Sequence, residues 1–339
     1  RRREAAQAAW SGLWVALLMS PLFVLAGLGG TWLLGPFGLA PEVEALAQEY
    51  WFPRMSGAAA GVALWAVSSF FNGIGRTGVT LGLMLAVGLV NAVLNQVLAF
   101  GLGLGVAGIG WATTVAQVAG VLLGLALFLG PRVDADYASH LVWRPSRVQM
   151  RRALLLGLPM GLLPAADLVG MALFQLMQVG LGTVAGAATQ IVVMLTSIAY
   201  MPAVGIASAG TTLVGQSIGA GDRDWARKVG NAAIKVNLAY MGLVSLLLAA
   251  AGPWLLPLFV TASDANAAAV VATGKLLIWI AAAYQVFDGL NLGAAFALRG
   301  AGDVRLPALL VVLVSWLGFL PLAHSLSFAP GMGWVDFLP

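Results

Sequence analysis

The feature that most constrains this chain is a succession of apolar runs, each long enough to cross a bilayer. Spanning the hydrocarbon takes about 20 mostly apolar residues as a helix. Such runs fall near 10–34, 51–72, 79–102, 106–129, 153–179, 187–218, 231–259, 268–297 and 306–328. Nine membrane helices follow, and with them an all-α polytopic membrane fold. Composition agrees: 60% of the 339 residues are apolar and 9% charged, against roughly 45–50% and 25% in soluble domains. The opening Arg1-Arg2-Arg3 before an apolar run imitates a secretory signal. That run is too long for a signal core and no small-residue cleavage site follows, so it reads as a first membrane helix. With no cysteine in the chain, disulfide scaffolds and thiolate metal sites are excluded.

Charge placement predicts orientation. With the N-terminal end in the cytoplasm, 15 of the 17 basic residues collect inside: Arg1 to Arg3, Arg76, five arginines from Arg132 to Arg152, and six more from Arg223 to Arg305. Arg54 and Lys275 fall near the outer ends, with Glu42, Glu44, Glu49, Asp264 and Asp336 outside. The net charge of +4 is thus a topology signal and not a nucleic-acid surface.

A polar stretch divides the chain into a first lobe over 1–130, a cytoplasmic linker over 131–152 and a second lobe over 153–339. An internal repeat supports the division. Gly73-Ile74-Gly75 recurs as Gly300-Ala301-Gly302 at an offset of 227 (Gly73 to Gly300), and Trp32-Leu33-Leu34 with Phe37 recurs as Trp254-Leu255-Leu256 with Phe259 at 222 (Trp32 to Trp254). Arg1 then maps to Arg223, which leaves the two helices of 153–218 without counterparts, while 106–129 maps largely beyond Pro339. The expectation is a piece, truncated at both ends, of a twelve-helix protein built as six plus six, its halves related by an axis along the membrane normal.

Two enzyme-like strings are better read as packing. Gly73 to Gly78 fits GxGxxG but joins two spans, with no strand before it. Gly215-Gln216-Ser217-Ile218-Gly219 fits GxSxG, yet Ser217 closes an apolar helix and the one downstream histidine, His324, belongs near the other membrane face. His140 is a loop residue, and the distance to His324 rules out a shared metal site. Gly57/Gly61 and Gly120/Gly124 allow close helix contact.

Acidic residues inside the spans are more informative. A carboxylate there costs about 2.5–3.5 kcal/mol or more, and persists chiefly where it faces a cavity and has something to bind. Asp167 and Asp288 are the two well inside runs, and no Lys or Arg lies comparably deep in the sequence. Such a cavity attracts cations: protons, sodium or organic ammonium groups. Tyr284, Asp288 and Asn291 share one helical face, and Asp167, Met171, Phe174 and Gln178 share another. The second face sets a carboxylate beside thioether and aromatic surface suited to a lipophilic cation. Competing structural roles are hydrogen bonding of Asp167 to backbone freed by Pro159 and Pro164, and an interhelical contact for Asp288. Asn91 and Asn95, with Gln96 and Gln117 near them, suit either a polar cavity wall or interhelical bonding.

The chain resembles the multidrug and toxic compound extrusion family along essentially its whole length. The resemblance is carried by Gly157 to Gly161 (GLPMG) with Asp167, Ala187 to Ile191 (AATQI), Gly205 to Asp222 (GIASAGTTLVGQSIGAGD), Tyr284 to Asp288 (YQVFD) and Leu298 to Asp303 (LRGAGD). It implies two six-helix lobes around a V-shaped cleft, and a bacterial inner-membrane protein that exports cationic drugs by alternating access in exchange for sodium or protons. Asp167 and Asp288 would bind the coupling ion, sodium included, with Tyr284 in support. Asn91, Asn95, Gln178 and Asn291 would form polar cavity wall, and Met171 with Phe174 the apolar wall. No cofactor is implied, and the partners are small cationic substrates and the bilayer around a monomer. The acid at 167, the Tyr284/Asp288 pair and the two asparagines favour the sodium-coupled bacterial branch. Departures are Asp167 where glutamate is usual, Thr189 where histidine is common, and Arg76 where the first Gly-Asp turn keeps its acid. Alternatives are a lipid-linked saccharide flippase of the same superfamily, which calls for arginines at depth, a membrane-embedded enzyme, which lacks a nucleophile–base set, and a passive channel.

Overall fold

The computed structural model describes residues 2–35, 41–180, 182–260 and 266–328, and all regular structure in them is helical. On helix α8 the side chains of several residues, Asp167 and Gln178 among them, lie outside the described set. In chain order the helices are α1 (Arg2–Leu28), α2 (Gly30–Leu34), α3 (Pro41–Ser56), α4 (Ala58–Gly73), α5 (Thr77–Asn95), α6 (Gly105–Phe128), α7 (Pro131–Tyr137) and α8 (Arg147–Gly180). There follow α9 (Thr183–Ala220), α10 (Arg223–Leu255), α11 (Ala267–Ala301), α12 (Arg305–Leu313) and α13 (Leu320–Phe328). A π-helical turn extends α5 over Gln96–Gly101, and another joins α12 to α13 over Val314–Phe319.

Seven of these rods are long and apolar enough to cross a membrane: α1, α5 with its π turn, α6, α9, α10, α11 and α12 to α13. The consecutive α3 and α4, broken at Gly57, and α8 complete nine rods among the described residues, one for each apolar run. The helices outrun the apolar stretches that announce them. The run at 51–72 belongs to a rod that starts at Pro41, and that at 231–259 to one that starts at Arg223. Hydropathy marks only the part that lipid selects. Charged turns such as Glu42 to Glu49 and Arg223 to Lys235 continue the same helix into water.

The chain divides into two compact units, Arg1–Leu155 and Leu156–Pro339. In the first, α6 packs against α3, α4 and α5, while α1 lies on α3 and α4. Small residues set these approaches. A Cβ at Gly57 would fall 2.1 Å from the Thr114 hydroxyl, and one at Gly120 2.3 Å from Val87. Thr114 in turn donates to the Pro53 carbonyl at 2.7 Å. In the second unit α9, α10 and α11 form a mutually packed trio. Gly289 and Gly293 of α11 meet α10, where a Cβ would come within 2.8 Å of Met241 Cβ and 2.9 Å of Ile234 Cα.

The repeat is visible in the backbone. Gly75 (φ 79°) and Gly302 (φ 86°) both end a helix in the left-handed region that favours glycine. Each turn closes with the same bond one residue later, Arg76 N–H to Phe71 carbonyl at 2.8 Å and Asp303 N–H to Leu298 carbonyl at 3.0 Å. The GxGxxG string is therefore a helix-to-helix turn. The GxSxG string is continuous helix in α9, with Ser217 buried and donating to the Leu213 carbonyl at 2.7 Å. Arg76, where the family turn has an acid, lies 3.9 Å from Asp136, which also holds Arg2 at 2.9 Å.

Candidate cation-binding site

The α11 stripe lies partly against the trio and partly outside it. Four residues of one helix grade from interior to open face: Gln285 is 1% exposed, Asp288 half-buried, Tyr284 52% exposed, and Asn291 exposed. Helical geometry produces that order, since Gln285 and Tyr284 flank Asp288 to either side on one face, about 100° apart around the helix. The Asp288 carboxylate thus stands at the boundary between packed interior and open surface.

Neighbouring helices hold this stretch at fixed points. The Gln285 amide donates to the Thr196 carbonyl of α9 at 3.1 Å. The Tyr284 side chain lies near that of Thr196 and close enough to feel the Asp288 charge. From the other side, the fully buried Asn237 of α10 donates to the Gly289 carbonyl at 3.0 Å. The carbonyl oxygens of Gln285 and Asn237 have no partner among the described residues. Thr196, Asn237 and Gln285 were not among the sequence candidates because they lie off the i, i+4 stripes that drew attention to the amides at Asn91, Asn95, Gln178 and Asn291. The available signal was position: Gln285 is three residues before Asp288, and Asn237 stands where the charged turns ending at Lys235 give way to apolar sequence.

The expected partners on α8 are only partly placed. Met171 is exposed, while the Phe174 ring packs on Phe319 at 5.2 Å between centroids. Phe174 thus helps seat α8 on the π turn of 314–319. Asp167 and Gln178 are on this helix, with side chains outside the described residues.

In the first unit the amides are bonded in series. Asn95 donates to Asn91, and Asn91 to the Thr113 hydroxyl of α6, each at 3.1 Å. The Thr113 hydroxyl donates to the Ile109 carbonyl at 3.1 Å. The Asn95 and Gln117 carbonyl oxygens are buried and without a partner among the described residues.

The MatE family model matches residues 159–323, which take in the α8 and α11 stripes. A "Probable multidrug resistance protein NorM" of Rhizobium meliloti (strain 1021) is 31% identical over 335 residues, covering 96% of this chain and 70% of that protein. The chain belongs to the MatE family. A protein of the same name from Bradyrhizobium diazoefficiens is 31% identical over 339 residues, covering 96% of this chain and 72% of its own length. A crystal structure of MATE in complex with MaD3S superposes with a TM-score of 0.85 at 20% identity, over 98% of this chain and 75% of that one. At that identity it establishes the fold. MatE membership makes the chain a transporter and not an enzyme, and the two enzyme-like strings, one a helix-to-helix turn and the other continuous helix, agree with it.

Proposed function

We propose that this MatE protein is a secondary active multidrug exporter that moves small lipophilic cations by alternating access, in exchange for sodium or protons. The observation that carries the reading is the Asp288 carboxylate, mid-helix at the edge of the packed trio, with Tyr284 beside it on the open face. An ionisable side chain retained within a span marks an ion or substrate pathway by default. Substrate and coupling ion then compete for one charge, so each must leave before the other binds, and competition of this kind gives antiport.

Asp167 is the second acidic group in this proposal and Tyr284 supports the bound ion. Asn291, Asn91, Asn95 and Gln178 supply polar wall, each within its own unit, and Met171 and Phe174 supply apolar surface for substrate. The names of the Rhizobium and Bradyrhizobium relatives support the drug-export part. The basic ends of the chain support a bacterial inner-membrane location with the N-terminal end in the cytoplasm.

The test is ethidium export from proteoliposomes carrying the full-length protein under an imposed sodium or proton gradient. Asp288→Asn keeps the shape and removes the charge, and should abolish gradient-driven export while leaving the protein monodisperse. Undiminished export by that variant removes Asp288 from the mechanism.

A further inference from the structure

The interior of the α9, α10 and α11 trio holds a polar atom that helix packing does not use. Gln285 is 1% exposed, and its amide nitrogen donates to the Thr196 carbonyl of α9 at 3.1 Å. A carbonyl accepts and cannot donate, so this bond settles which end of the amide is nitrogen and leaves Oε1 turned away from it. Oε1 is buried and has no hydrogen-bond partner among the described residues. A buried acceptor in that position has lost its bonds to water and gained none in return. An apolar side chain of the same length would fill the seam without that penalty, so the oxygen points to a ligand.

Along the helix, the neighbour of that oxygen is the Asp288 carboxylate. Residues three apart adjoin on a helix surface, and side chains lean toward the helix N-terminus, so the carboxylate lies back over the turn of Tyr284 and Gln285. Thr196 meets the same turn from α9. Its carbonyl takes the Gln285 amide, and its side chain lies near Tyr284, which itself feels the Asp288 charge. The Thr196 hydroxyl donates its one hydrogen to the Val193 carbonyl of its own helix at 3.1 Å, which leaves Oγ1 only lone pairs to offer. Gln285 and Thr196 thus each bring to this turn an oxygen that can accept but not donate.

Oxygens of this kind discriminate between coupling ions. A proton on the carboxylate makes it a donor that a single acceptor satisfies. A hard monovalent cation gives up its water shell only where several oxygens replace it, as carbonyls do in ion pathways. We propose that Gln285 and Thr196 set the ion selectivity of the Asp288 site, with Gln285 Oε1 and Thr196 Oγ1 as neutral ligands to a sodium ion held on the carboxylate. They favour sodium over a proton because a proton has no use for the second and third oxygen. This rests on the reading of Asp288 as the carboxylate that binds the coupling ion. Asp288, Gln285 and Thr196 belong to α11 and α9, so the selectivity is built within the second unit.

The experiment uses the full-length protein in proteoliposomes, with ethidium transport driven either by a sodium gradient at equal pH or by a proton gradient without sodium. Wild type should run on sodium. Thr196→Val is isosteric and keeps the carbonyl that receives the Gln285 amide, and Gln285→Met keeps the length of the side chain. Each should raise the half-saturating sodium concentration by roughly tenfold or more, the worth of one contact to a charged group, at an unchanged maximal rate. Thr196→Ser returns the hydroxyl and should return the wild-type value. Should Gln285→Met fail to fold, Gln285→Asn, which withdraws the amide by one methylene, carries the same expectation. A role in fastening helices would lower the maximal rate or the unfolding temperature and leave sodium half-saturation in place. The proposal is overturned by that pattern, by folded variants with wild-type sodium dependence, or by a Thr196→Ser protein that behaves like Thr196→Val. Undiminished export by Asp288→Asn overturns the reading of the carboxylate and the proposal together. A wild type that runs on protons alone, and that Asp288→Asn silences, overturns the selectivity and leaves that reading standing.

Discussion

Where α1 crosses α4 and where α10 crosses α11, the two units make one contact with opposite residues. Gly12 admits Ala66 in the first, and Gly293 admits Ile234 in the second, positions related by the same 222 and 227 offsets as the tryptophans and glycine turns. The crossing is retained while the glycine changes helix. What the repeat preserves is therefore the distance between backbones and not the identity of either residue. Around this shared frame the mid-span polar groups diverge. In the first unit they are neutral and hydrogen-bonded in series through Asn95, Asn91 and Thr113. In the second, buried amides brace a helix that presents a carboxylate at its open edge. One arrangement is a chain of neutral bonds, and the other carries the charge on which the proposed exchange depends.

That contrast is most exposed to test at the polar groups. Asp288→Asn should eliminate gradient-driven ethidium export, whereas Asn91→Ala should lower it by only about tenfold or less, the worth of one or two interhelical hydrogen bonds. Equal losses would erase the distinction between the units. The next largest effect concerns the shared crossing. Gly293→Val and Gly12→Val should each destabilise by about 1–3 kcal/mol through overpacking, read as a lower unfolding temperature in detergent. The Gly293 variant should be the worse of the two, because its new Cβ meets the Ile234 backbone while that at Gly12 meets a side-chain carbon. A loss confined to one variant would mean that the two crossings are not equivalent.

These outcomes bear on how much the sequence makes legible. Helix number was readable because lipid selects about 20 apolar residues per crossing whatever surrounds them. Helix ends were not, since amphipathic turns such as Arg223 to Lys235 look like loop to a hydropathy window yet continue α10. Asp288 stood out because charge in a span is costly. Asn237 and Gln285, which fix the same helix, did not, because their importance arises only when α9, α10 and α11 come together.

Asn237→Leu removes the α10 bond to the Gly289 carbonyl beside Asp288 and should cost about 0.6–1.7 kcal/mol. It should also weaken export more than its stability loss explains, because α11 is loosened next to the carboxylate. Normal export from a destabilised Asn237→Leu protein would make this bond structural only.

The smallest effect belongs to the polar end of the first unit, which is stapled to the loop that follows α7. Trp10 and Trp14 of α1 donate to the carbonyls of Ser139 and Trp143, each at 2.7 Å, and Asp134 accepts from the His140 backbone N–H at 2.9 Å. That N–H, and then the His140 side chain, hold the Asp134 carboxyl below its ordinary 3.8. A carboxylate lowered on folding contributes stability that is complete above its unfolded value and is lost as pH falls through its folded one. The 138–143 loop should therefore stay clasped down to about pH 3.8 and loosen below it, seen as a red shift in the emission of Trp10, Trp14 and Trp143. Asp134→Asn should remove the acid-dependent part of that shift. If the loop loosens well above pH 3.8, or if Asp134→Asn leaves the transition in place, a different group governs the clasp.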